Sequence, residues 1–125
     1  MRSMQLYVSG SAIKDYEAYG LYDVRKFGTL NNNDNTNIFQ GAMDAAYWDK
    51  MAGIFIPPFP TIMHFSRLRV MPGMSIVGAG RSVTRLAQLH GINSSAIIND
   101  PTLMPNNYYM HGQVFKGFLL RKSGT

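Results

Sequence analysis

Apolar positions in this chain come in short runs separated by glycine, proline and asparagine, and no single period holds for long. Met4 to Val8 alternates weakly and predicts a strand. Ser9 or Ser11 then caps a predicted short helix through Ala12 to Ala18, with Ile13 and Tyr16 on one face and Gly20 ending it. A second helical turn is predicted over Tyr22 to Phe27, stopping at Gly28. The sequence TLNNNDNTN, Thr29 to Asn37, resists regular structure, because Asn and Asp side chains bond to their own backbone. It divides a small helical front from a longer, more apolar remainder.

The remainder opens on FQGAMDAAYWDKMAGIFIPPFP, Phe39 to Pro60, which holds the only tryptophan, two glycines and three prolines. After Gly53, IFI predicts a buried strand, halted by prolines that cannot donate to a ladder. RLRV (Arg67 to Val70) and SIV (Ser75 to Val77) flank a Pro-Gly turn and predict a hairpin. Ser82 caps a predicted helix from Val83 to His90, closed by Gly91. The closing YYMHGQVFKGFLLRK alternates well enough for one or two strands. No internal repeat is visible. The expected class is α+β, with short helices packed on a mostly antiparallel sheet, extended loops or arms, and one domain over residues 1–125.

Composition changes this picture in one respect. Hydrophobic residues make up 46% of the chain, which is ordinary, but charged residues only 15%, against the usual quarter. A surface so poor in charge is neutral polar or covered, which points towards life inside an assembly. Twelve Lys and Arg against seven acids give a net charge of +5. These cations are scattered as pairs, such as Arg25-Lys26 and Arg81 with Arg85, where a dedicated nucleic-acid binder concentrates them on one face. Contact with nucleic acid through them stays open. There is no cysteine, which excludes disulfides and thiolate zinc sites. The N-terminal residues lack the apolar core of a signal peptide, and MAGIFIPPFPTIMHF is too short and proline-broken to span a bilayer. No membrane association is expected.

Candidate chemistry is sparse. His64, His90 and His111 lie far apart, without metal-ligand spacing. Glu17 is the only glutamate. Asp44 and Asp49 flank Tyr47-Trp48, where they either line a site or solubilise an aromatic element. GAGRS, Gly78 to Ser82, lacks the third glycine of a dinucleotide fingerprint and the GK[ST] of a phosphate loop. A tight turn into a capped helix accounts for it. No catalytic residue, cofactor or small-molecule substrate is expected. LAQLHGINSSAIIND, Leu86 to Asp100, has the spacing of a helix-turn-helix, with Ala87 at the helix crossing, Gly91 at the turn and Ile92 and Ile97 in the core. Asn93, Ser94 and Ser95 would then face the major groove. The competing reading is one helix followed by a loop.

Taken in order, MQLYVSGSAIKDY, DVRKFG, IFQGAMDAAYWDKMAGIFIPP, VGAGRSVTRLAQ and VFKGFLLRK resemble the C-terminal half of a tailed-phage major capsid protein of the HK97-fold type. The likeness covers most of the chain and rests on element order and a few glycines. Complete proteins of that type are longer, with an N-terminal arm and a spine helix missing here, so the resemblance implies a fragment, a reduced version or an accessory shell protein. It implies a non-enzymatic structural subunit of a virion, assembled in the host cytoplasm, binding copies of itself or other capsid proteins. Gly41 and Gly53 would allow sharp turns, and Trp48, Phe55 and Phe59, with Arg67 and Arg69, would form the assembly interface. An entirely internal role for this stretch is the alternative.

Overall fold

The computed structural model describes residues 16–89, 91, 95–99 and 114–121. The strand expected at Met4 to Val8 and the start of the first helix lie outside them. Residues 16–18 are helical, and Gly20 follows with φ of 85°. Then come β1 (Leu21–Asp23), a 3-10 turn (Val24–Phe27) and α1 (Thr36–Trp48), followed by eight more described strands: β2 (Gly53–Ile56), β3 (Met63–Phe65), β4 (Leu68–Val70), β5 (Ser75–Gly78), β6 (Arg85–Gln88), β7 (Ile97–Asn99), β8 (Phe115–Lys116) and β9 (Leu119–Arg121).

Every pairing among the described strands is parallel. One sheet runs β1-β2-β5-β8, a second β3-β6-β9 and a third β4-β7. The chain therefore visits three sheets in turn and returns to the first one layer further on. This is a parallel β-solenoid. Rung one is β2-β3-β4, rung two β5-β6-β7, and rung three begins with β8-β9.

The expected mostly antiparallel sheet is thus corrected to an all-parallel arrangement of α/β type. Two local expectations fall with it. The Pro-Gly turn at 72–73 exists, but it joins β4 to β5, which belong to different sheets, so it turns a corner of the rung and makes no hairpin. The helix expected over Val83 to His90 is strand β6 at Arg85–Gln88, held between β3 and β9. Local capping signals lose there to ladder bonds on both edges. The buried strand after Gly53 is present: all four residues of β2 are buried.

Register places like residues in columns through the stack. Ile54 lies over Ile76, and Met63 over Leu86, all inside the core. Two glycine positions depend on close stacking. A Cβ added to Gly53 would lie 2.1 Å from the Ser75 carbonyl oxygen, and one on Gly78 2.3 Å from that of Gly117. Gly53 therefore serves layer contact, not a sharp turn, and Gly41 sits inside α1 with open space around its Cβ position. At the next corner the buried Thr84 hydroxyl lies 3.2 Å from the carbonyls of both Ile56 and Pro57 and accepts from Ala79 N at 3.0 Å.

β1 pairs with β2 where the stack begins, so the first rung would expose the edges of β3 and β4 and the core beside them. α1 covers them. Phe39, Ala42, Met43 and Ala46 are its buried residues, at i, i+3, i+4 and i+7, and they join the common core. Side chains at its start replace the missing strand. Asn35 bonds the His64 carbonyl through its backbone N at 2.8 Å and its side-chain Nδ2 at 3.2 Å. Ser66 N donates to Thr36 Oγ1 at 2.7 Å, and the Gln40 amide accepts from Arg69 N at 2.9 Å while donating to Arg69 O at 3.1 Å. The asparagine-rich loop presents these groups. Asn31 Oδ1 accepts from Asn33 N and Asp34 N, and Asn35 Nδ2 donates back to Asn31 O.

α1 ends in a Schellman-type reversal, with Lys50 N bonded to Tyr47 O and Met51 N to Ala46 O. Lys50 holds the left-handed position, φ 61°, that glycine usually takes.

Asn35 is fully buried, so Asn35→Ala should cost about 2–4 kcal/mol, because its partners lose bonds that water cannot restore. Gln40→Ala should cost only about 1 kcal/mol, since its bonds to Arg69 lie at an exposed position. Chemical denaturation of both variants reads this difference. Separately, Gly53→Ala should destabilise by about 2 kcal/mol or more, because the two rungs must move apart.

Candidate functional site

The two ends of the solenoid differ. At the far end the inward columns Ile54-Ile76-Phe115 and Met63-Leu86-Leu120 terminate in Phe115 and Leu120, each 37% exposed. Among the described residues no strand pairs with the outer edges of β8 and β9. Ile76 N bonds Val114 O and Leu119 N bonds Thr84 O, so Val114 and Leu119 direct these backbone groups inward along the stack. Parallel ladders alternate, so the backbone groups of Phe115 and Leu120 face the open edge. The same two residues thus present both an apolar side chain and a backbone donor and acceptor. Val114 and Leu119 add exposed apolar area beside them.

A second feature is a cleft of about 350 Å³ lined by Arg25, Gly28, Thr29, Leu30, Pro58 and Phe59. Its one charge is already engaged: the Arg25 guanidinium grips buried Asp23 through Nε at 2.9 Å and Nη2 at 2.5 Å. The lining offers a hydroxyl and apolar walls, with no nucleophile paired to a base.

The third is a polar cluster where α1 ends. The Tyr22 phenol donates a short hydrogen bond to Asp49, while Lys26 Nζ lies 4.7 Å from the Tyr22 ring centre and 2.7 Å from Glu17. Each charge here has a partner, and the cluster ties β1 to the end of the helix. The bond to Asp49 raises the Tyr22 pKa, helped by desolvation and by the negative charges of Asp49 and Glu17.

The residues singled out from sequence are dispersed. Trp48 stands at the end of α1, 74% exposed and edge-on to Tyr47. Phe55 is no surface group: it is 2% exposed and stacks under Tyr16 at 3.7 Å. Phe59 is half-buried in the cleft, and Arg67 and Arg69 are exposed before and on β4. The stretch from Phe39 to Pro60 is therefore mainly core and cap, with Trp48 its outward point. The helix-turn-helix loses its first helix to β6, and Ile97 lies in β7 paired with Leu68. Asn93 and Ser94 fall outside the described residues, and Ser95 is exposed in irregular backbone. His64 bonds the Asn32 carbonyl through Nδ1 at 2.8 Å, a loop-fixing role, and His90 and His111 lie outside the described residues. Among the described residues no cluster could hold a metal ion, and no helix is long and apolar enough to cross a membrane. The sequence reading missed the open end, although VFKGFLLR carried its signal in two apolar runs, one followed by Lys116 and the other by Arg121.

Comparisons with protein-family models, curated proteins and solved structures return no match for this chain.

The Tyr22–Asp49 bond has a definite pH signature. A raised folded-state pKa means stability that is complete below the unfolded phenol value, about pH 10, and is lost as pH rises through the raised value. The stability difference between the wild-type chain and Tyr22→Phe should therefore hold from neutral pH to about 10 and shrink above it. Denaturation at neutral pH and above pH 10 tests it.

Proposed function

We propose that this chain is a non-enzymatic structural subunit of a virion, a solenoid module closed at one end by its own helix and joined at the other to a neighbouring polypeptide. The observation that supports this best is the exposed ending of both inward columns at Phe115 and Leu120, next to strand edges that no other described strand pairs with. Proteins normally blunt such edges or cover them, and this one invests Asn35, Thr36, Gln40 and a whole helix in covering the other. The virion setting rests on the sequence resemblance alone. Of the forms that resemblance allows, an accessory protein attached to a shell suits a module with one capped and one open end. The helix-turn-helix alternative lacks its first helix, which is strand β6.

Leu120→Asp and Phe115→Asp should each abolish association with neighbouring chains while shifting the melting temperature little, since both side chains are already part-exposed. Cross-linking in purified particles and sedimentation velocity of both variants check this. A wild-type chain that is monomeric at every concentration and absent from particles would refute the reading.

A further inference from the structure

We infer that the open end binds an extended segment of a different polypeptide, running parallel to β8 and β9, with apolar residues over Phe115 and Leu120 and acidic residues over Lys116 and Arg121. This rests on the assembly reading and specifies its partner.

Four observations fix the chemistry. First, the backbone groups of Phe115 and Leu120 face the open edge, so the occupant adds by main-chain pairing, as in strand addition to a sheet. Second, each existing rung places a residue of like character above the last: Ile76 over Ile54 and Leu86 over Met63. The occupant therefore needs one apolar side chain over Phe115 and one over Leu120, and a five-residue spacing, that of Phe115 and Leu120 themselves, follows the same short corner. Third, the corner between them stacks tightly. Gly117 has φ of 77°, and a Cβ on it would lie 2.4 Å from the Gly78 oxygen. A glycine two residues after the first apolar position lets the occupant follow that bend. Fourth, Lys116 and Arg121 are exposed on the outer face, and among the described residues neither has an ion pair.

The charges also decide against a second copy. Two open ends brought together would set Lys116 and Arg121 of one against the same residues of the other. Head-to-tail stacking is obstructed over two of the three sheets, because α1 and the Asn35, Thr36 and Gln40 side chains occupy the β3 and β4 edges of the opposite end. A different chain with complementary charge meets neither obstacle.

A direct test uses the full chain and two labelled peptides. Both carry valine at two positions five residues apart and glycine two residues after the first. One has glutamate directly after each valine, the other lysine. Fluorescence anisotropy at low ionic strength should show the glutamate peptide binding more tightly than the lysine peptide. Lys116→Glu combined with Arg121→Glu should reverse that order, changing the ratio by about fivefold or more, as expected for two exposed pairs turned from attraction to repulsion. Lys116→Glu alone should move it part of the way, which guards against a folding defect in the double variant. Absence of binding by either peptide, equal binding of both, or a preference unchanged by charge reversal would overturn the inference. So would a wild-type dimer that dissociates on Leu120→Asp, since a second copy would then fill the site. Each of these leaves the assembly reading to stand or fall on the association of the Leu120→Asp and Phe115→Asp variants.

Discussion

A parallel rung cannot satisfy its own edges, and the whole arrangement depends on how the first rung is closed. In a parallel sheet every second residue turns its N–H and C=O towards one neighbour, and at the end of the stack that neighbour is missing. Here the side chains of a loop and a helix stand in for it. The Gln40 amide both accepts from and donates to Arg69, as a residue of a paired strand would, and Thr36 and Asn35 serve Ser66 and His64. Three polar side chains of different length thus hold α1 in register with two sheets at once. With the helix placed there, Phe39, Met43 and the two small residues Ala42 and Ala46 seal the core from above.

Stacking imposes the next constraint. Rungs separated by roughly 4.8 Å leave room for side chains within a column but none for a Cβ where backbones cross at a corner. Gly53, Gly78 and Gly117 answer to that spacing. The interior accommodates the resulting irregularity with methionine: Met43, Met63, Met71 and Met74 are all buried. Their flexible thioethers fill gaps that branched side chains would leave. The scarcity of charge noted in the sequence has the same origin, because so much of a short chain lies inside columns or against a cap.

Much of the local structure was legible from residue chemistry. The strand after Gly53, its arrest by prolines, the stop at Gly28 and the loop of asparagines all follow from neighbours a few positions apart. The topology does not. Residues stacked in adjacent rungs lie 22 positions apart from Gly53 to Ser75, 29 from Leu68 to Ile97, and 39 from Ile76 to Phe115. Corners of unequal length erase any fixed period, so a structural repeat leaves no sequence repeat. Strands of two to four residues also carry too few positions to reveal pairing direction. A Pro-Gly between two apolar runs then looks like a hairpin, and a serine before Val83 looks like a helix cap. Phe55 shows the same limit at the level of a site: its outward position on β2 suggests surface, yet it is buried and stacked against Tyr16 from far back in the chain.

The asymmetry of the ends connects fold to function. Solenoid stability is a sum over rungs and their interfaces, so an end is tolerated only if something covers it or makes its edge unattractive. The first end is covered by a device of at least three specific side chains and an amphipathic helix. The other end, at β8 and β9, ends in aromatic and aliphatic side chains in perfect continuation of the inner columns, with two cations on the outer face. Cations on an edge commonly discourage indiscriminate strand pairing. Placed beside intact apolar columns, they would discourage partners of like charge, in keeping with the selective contact proposed above. A surface with these two properties fits the assembly role proposed above, because it favours one added strand over a second copy of the chain.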